Sequence, residues 1–138
     1  VLKRLATEKG LQNISFYPYQ PEEFAPHNYA MAHVNINALP KGIIATCMPS
    51  KTATMLNCAR PMIVSVEKKS AYAQMLSTVD KCTVVDVDDT KGFADAILHN
   101  YKEHIVGNSE NARDVFKKMC SKENAKCYVE ILEEIAQR

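Results

Sequence analysis

The residues best suited by type and spacing to hold a ligand are Ser50 and Lys51. They close the segment Lys41-Gly42 through Cys47-Met48-Pro49-Ser50-Lys51. Pro49 and Ser50 read as a helix start, with Ser50 supplying a capping oxygen. A loop feeding a helix N-terminus presents unpaired N–H groups to an anion, and Ser50 and Lys51 would add a hydroxyl and a positive charge, a set that suits a diphosphate. The segment lacks the G-x-x-x-x-G-K pattern of a phosphate loop, so an ordinary capped helix with a solvated lysine stands beside that reading.

Two other segments follow expected strands. Tyr17-Pro18-Tyr19-Gln20 could hold a base with a ring and free backbone groups, although aromatic residues beside prolines also serve as loop packing. Glu67-Lys68-Lys69-Ser70 could set charge and a hydroxyl on the rim of the same crevice, with a solvated turn as the alternative. His27, His33, His99 and His104 show no metal-ligand spacing. No carboxylate pair stands in an apolar context and no G-x-S-x-G elbow appears, so no catalytic residue is assigned and no metal is expected.

The elements that must position these groups alternate β and α. Val1 to Lys9 reads as a helix ended by Gly10, without an evident cap, as though the natural chain continued upstream. Ile14 to Tyr17 reads as a short strand stopped by Pro18 and Pro21, and Glu22 to Ala32 as a helix limited by Pro26. Val34 to Leu39 alternates apolar and polar residues like a strand. Lys51 to Cys58 reads as helix. Met62 to Val66 is the β-branched run of a strand buried on both faces. Ser70 to Ser77 (helix), Cys82 to Val87 (strand) and a helix from Lys91 to Lys102 capped by Asp88 or Asp89 come next. Helices over Ala112 to Cys120 and Asn124 to Ala136 finish the chain.

Strands separated by helices imply right-handed crossovers and a mostly parallel sheet covered on both sides, a Rossmann-like three-layer α/β/α domain of the α/β class. In such sheets the ligand crevice lies beyond the carboxyl ends of the strands, where the three segments fall.

Bulk properties set the limits. The 138 residues fit one domain with one core, and 46% hydrophobic and 24% charged residues are ordinary for a globular chain. A net charge of +1 gives no field that would select nucleic acid. The five cysteines, Cys47, Cys58, Cys82, Cys120 and Cys127, are odd in number, dispersed and without C-x-x-C spacing, as in reduced thiols of a cytoplasmic protein. No apolar run approaches the roughly 18 residues of a membrane span, so any membrane work would be peripheral, at the inner face.

In order along the chain, N-I-S-F-Y-P-Y-Q-P, A-H-V-N-I-N-A-L-P and M-P-S-K-T-A-T-M-L-N-C-A-R-P-M-I-V-S-V resemble the carboxyl-terminal, donor-binding half of family 4 glycosyltransferases of the GT-B fold. The likeness is to those of lipopolysaccharide, capsule and colanic-acid synthesis, and it runs from about Asn13 to the end. It implies transfer of a sugar from a UDP- or GDP-sugar, a substrate with no separate cofactor, to a polysaccharide or lipid-linked acceptor held by an absent amino-terminal half. The intact protein would be the enzyme, and this chain alone would be inactive. The resemblance puts Thr46, Cys47, Met48, Pro49, Ser50 and Lys51 at the donor sugar and diphosphate, Thr54 at the ribose, and Pro18 and Tyr19 near the base.

The chain departs from that pattern. Two glutamates common in the family fall at Thr46 and Thr54 here, and a hydroxyl contacts a sugar more weakly than a carboxylate does. Ala59 stands where a glycine often follows the helix, an uncomfortable substitution if the turn needs positive φ. The family's donor half also opens with two strands that would lie mid-sheet, between Ile14 to Tyr17 and Val34 to Leu39. Those two strands must therefore pair directly, receive another copy, or flank omitted residues. A non-catalytic nucleotide-binding or assembly module is the second reading, and one half of a sugar-nucleotide epimerase a third.

Overall fold

The computed structural model describes residues 1–45 and 48–137; Thr46, Cys47 and Arg138 lie outside the described residues. Three strands form one open, all-parallel sheet in the order β1-β2-β3: β1 Asn35–Ala38, β2 Met62–Ser65 and β3 Cys82–Val85. Asn35 is in register with Met62, and Met62 with Cys82. Each parallel step needs a crossover, supplied by α3 Ser50–Cys58 between β1 and β2 and by α4 Ala71–Leu76 between β2 and β3.

The central strand shows why the chain folds this way, since all four residues of β2 are buried. Met62, Val64 and Val66 meet Met55 and Leu56 of α3, Leu76 of α4, and Ala112 and Phe116 of α6 Ala112–Met119. Ile63 points to the other face, where Val85, Phe93 and Ala96 complete a smaller cluster beneath α5 Thr90–Lys102. Helices therefore cover both faces, and the domain is a Rossmann-like three-layer α/β/α structure. Each fully buried Met, Leu or Ile side chain contributes about 1.5–3 kcal/mol, so β2 and the helix faces on it dominate the core.

Local chemistry sets the helix starts. Ser70 accepts the amide of Ala73 at 3.1 Å to begin α4, and Asp89 accepts that of Gly92 at 2.7 Å to begin α5. Ser121 begins α7 Lys122–Ala136 by accepting the amide of Asn124 at 3.3 Å. The helix expected after Glu22 forms as a single 3-10 turn, Glu22–Phe24, followed by α2 Ala25–Met31 with Pro26 in its first turn. The first helix, α1 Leu2–Glu8, buries only Ala6.

Two expectations fail. Ile14 to Tyr17 forms no strand; Ile14, Phe16 and Tyr17 are exposed in irregular backbone. A strand exists only through its ladder, and this segment, bounded by Pro18, pairs with no strand among the described residues, so apolar residues alone do not make it one. The outer edge of β1 consequently has no neighbouring strand among the described residues. Ser50 is also not the cap of α3: Pro49, extended at φ −64° and ψ 120°, takes the N-cap position, and no side chain caps the helix. Proline's fixed φ suits that place, and its carbonyl already accepts the amide of Thr52 at 3.1 Å. Among the described residues no helix is long and apolar enough to cross a membrane.

Candidate functional site

At the carboxyl end of β1 the chain turns through Lys41 and Gly42, and at that of β2 it passes Val66 into Glu67. Gly42, at φ 83°, donates its amide to Glu67 Oε1, which ties the two strand ends together. Between them opens a cleft of about 650 Å³ whose walls include Gly42, Met48, Glu67, Ser70, Tyr72 and Met75. That volume lies within the range of small-molecule sites. The cleft sits where an open parallel sheet is expected to bind ligand.

The polar groups of the cleft divide into used and unused. Ser70 Oγ donates its one proton to the Glu67 carbonyl at 2.7 Å and accepts from Ala73, so a ligand could find there only a lone pair. Glu67 Oε2 is buried and has no hydrogen-bond partner among the described residues. A buried carboxylate oxygen without a donor is costly, which favours a rotation of the Glu67 side chain that would turn this oxygen into the cleft. The Tyr72 hydroxyl lies 2.6 Å from Thr52 Oγ1 in the buried floor. Burial pushes the Tyr72 phenol above its ordinary value, against the opposing hydrogen bond of Thr52. Asn37, a buried residue of β1, keeps its Nδ2 without a partner at hydrogen-bonding distance among the described residues.

Charge around the strand ends is mixed. Lys41 Nζ contacts Asp88 Oδ2 at 2.6 Å, and that hydrogen bond and attraction raise the lysine above its ordinary value, with Asp86 and Glu67 adding to the effect. Lys41 is thus already matched. An anionic ligand would be repelled by Glu67 and drawn instead to the head of α3, where Ser50 and Lys51 are exposed. Among the described residues, nothing accepts the amides of Ser50 and Lys51.

The sequence-predicted residues therefore fall into three places. Met48, Glu67 and Ser70 line the cleft. Pro49, Ser50 and Lys51 continue from Met48 into α3 without lining the cleft, and Thr54, partly buried one turn further along, makes no hydrogen bond through its side chain among the described residues. Thr46 and Cys47 lie outside the described residues. Pro18 and Tyr19 border a different cleft of about 790 Å³, with Gln20, Asn28 and Tyr29, and are not brought to the first. Tyr72 and Met75 were missed. The available signal was their spacing after the Ser70 cap, which turns one face of α4 toward the strand end.

Other side chains stand apart. Burial pushes the Cys82 thiol up to about 12, so it is no nucleophile near neutrality. Cys58, Cys82, Cys120 and Cys127 are free thiols. Among the described residues no group of three or more His, Cys, Asp or Glu could hold a metal ion. No family model matches the chain, and no match to it is found among curated proteins or solved structures.

Proposed function

We propose that the chain binds a nucleoside-diphosphate sugar across the head of α3 and the cleft beside it, as the donor-binding domain of a glycosyltransferase serving a polysaccharide or lipid-linked acceptor. The observation that carries this reading is the cleft at the ends of β1 and β2, where Glu67 keeps a buried carboxylate oxygen without a proton donor among the described residues. Once the Glu67 side chain rotates this oxygen into the cleft, sugar hydroxyls supply such donors, and charge-assisted hydrogen bonds to a carboxylate are the strong kind. The diphosphate belongs on the other side of Met48, where the unpaired amides of Ser50 and Lys51 and the lysine charge favour an anion. The likeness of the M-P-S-K and A-R-P segments to family 4 glycosyltransferases supports the same orientation. UDP- and GDP-sugars both fit the chemistry.

A second reading is a module that binds the nucleotide without acting on it. One observation favours it: among the described residues lining the cleft, Glu67 is the only carboxylate, so no acid and base pair stands there.

Titrating the labelled protein with UDP, GDP and their sugars, while following backbone amide shifts, tests the binding site common to both readings. The expected perturbations centre on Met48 to Thr54 and Glu67 to Ser70, with the sugar nucleotides moving Glu67 more than the free diphosphates do. Shifts confined to α6 and α7, or none at millimolar ligand, would end the proposal. Transfer from a bound sugar nucleotide to an acceptor would then separate the enzyme from the passive module.

A further inference from the structure

We propose that the cleft bordered by Tyr17, Tyr19 and Tyr29 binds a neutral oligosaccharide, at a site separate from the cleft at the strand ends and independent of what that cleft holds. Its volume of about 790 Å³ lies within the range of small-ligand sites. One wall is the stretch Tyr17-Pro18-Tyr19-Gln20-Pro21, and the other is the face of α2 that carries Ala25, Asn28 and Tyr29 at helical spacing. Pro18 and Pro21 fix φ at two points of the first wall, so the backbone that carries its rings has less freedom to lose when a ligand enters. Tyr17 and Tyr19 are 82% and 92% exposed. Together with Tyr29, which packs against the core from the other side, they make one aromatic patch rather than scattered side chains.

The polar groups around these rings are free. Gln20 Nε2 donates to the Pro18 carbonyl at 3.2 Å. Among the described residues the hydroxyls of the three tyrosines, the Asn28 amide and the Glu22 carboxylate make no hydrogen bond. Flat apolar surface edged by unused donors and acceptors matches a pyranose, which is apolar on the face made by its C–H bonds and polar around its rim. Charge separates a sugar from the other flat ligand, the base of a nucleotide. Among the described residues no Lys or Arg lines the cleft. Between Lys9 and Lys41 the sequence contains neither, and the acidic residues of that stretch are Glu22 and Glu23. A phosphate would meet repulsion without a counter-charge, and so would a nucleic-acid strand. The rings that the resemblance puts near the base therefore serve a neutral ligand.

Titrating the labelled full chain with cellotriose, maltotriose and chitotriose, and separately with uridine and UDP, gives the test. The chain has no tryptophan, so tyrosine emission reports the rings directly beside the amide shifts. At least one trisaccharide should change that emission and move the amides of Tyr17, Tyr19, Gln20, Asn28 and Tyr29 with millimolar affinity, leaving those of Met48 and Glu67 in place. Tyr19→Ala should weaken this binding about tenfold and Asn28→Ala about fivefold, with the amide shifts of β2 unchanged to show that the body is folded. Tyr19→Phe keeps the ring and should stay within about threefold of wild type. No response to any trisaccharide up to about 20 mM, an affinity indifferent to Tyr19→Ala, or uridine or UDP moving the same amides at lower concentration than the sugars would each overturn the proposal.

Discussion

Asp80 holds together a stretch of chain that no single element controls. Its carboxylate accepts the Ser109 hydroxyl at 2.7 Å, the Glu110 amide at 3.0 and 3.1 Å and the Asn111 amide at 3.0 Å, which fixes the entry into α6. Burial opposes ionisation of this group, yet the hydrogen bonds from Ser109, Asn111 and Glu110 prevail and hold its pKa below the ordinary value. A carboxyl group depressed on folding adds stability above its unfolded pKa, near 4, and loses that contribution as pH falls through the folded value. Asp80→Asn should therefore destabilise the domain at pH 7 by about 1 kcal/mol, a figure discounted for solvent screening. In urea titrations the gap from wild type should narrow on acidification below about pH 4. An equal gap at pH 7 and at the acid end would mean that the charge contributes nothing. None of this was legible in the sequence, because the partners are about thirty positions apart. The bond from Gly42 to Glu67 was hidden for the same reason, whereas the cap of α5, with acceptor and amide three residues apart, was local enough to be narrowed to Asp88 or Asp89, of which the structure uses Asp89.

At the scale of elements, α3 carries the site at one end and a strained turn at the other. Ala59 ends it in the left-handed region at φ 57°, donating to the carbonyls of Met55 and Leu56 and accepting the Ser109 amide at 2.6 Å. The resemblance had marked this position as one where glycine is usual, and the turn does require positive φ. The left-handed conformation costs a non-glycine residue about 1–2 kcal/mol, while the Ala59 methyl, 1% exposed, recovers roughly 0.8 kcal/mol by burial. Ala59→Gly should accordingly change stability by less than about 1 kcal/mol, since relief of strain is offset by the lost methyl and by a freer unfolded chain. Ala59→Val should cost about 2 kcal/mol or more, because a branched side chain fits neither the backbone region nor the packed space. Thermal melts of the two variants decide it: similar losses for both would show that the turn is relaxed. The other end of α3 was read one residue off. Serine and proline both favour a helix start, and the choice between them rests on which carbonyl reaches the Thr52 amide.

Across the whole molecule, stability should fall away from β2 in both directions, and this explains which elements were legible. Met62 to Val66 announced itself because a strand covered on both faces must be apolar throughout. Ile14 to Tyr17 carries similar residues without any neighbour, and composition cannot supply one. Amide exchange tests the gradient directly. Amides of Ile63 to Val66 should exchange slowest, and those of residues 12–17 should approach the rate of an unfolded chain, at least about a hundredfold faster. Within β1 protection should alternate. The amides of Asn35 and Leu39 donate toward β2, to Pro61 at 2.8 Å and Ser65 at 3.0 Å, while by strand alternation those of Ile36 and Ala38 face the open edge. Fast exchange at Ile36 and Ala38 beside slow exchange at Asn35 and Leu39 is the expected pattern. Uniform protection along β1, or protection of Ile14 to Tyr17 equal to that of β2, would mean that the edge is paired in solution and that the sheet has more than three strands.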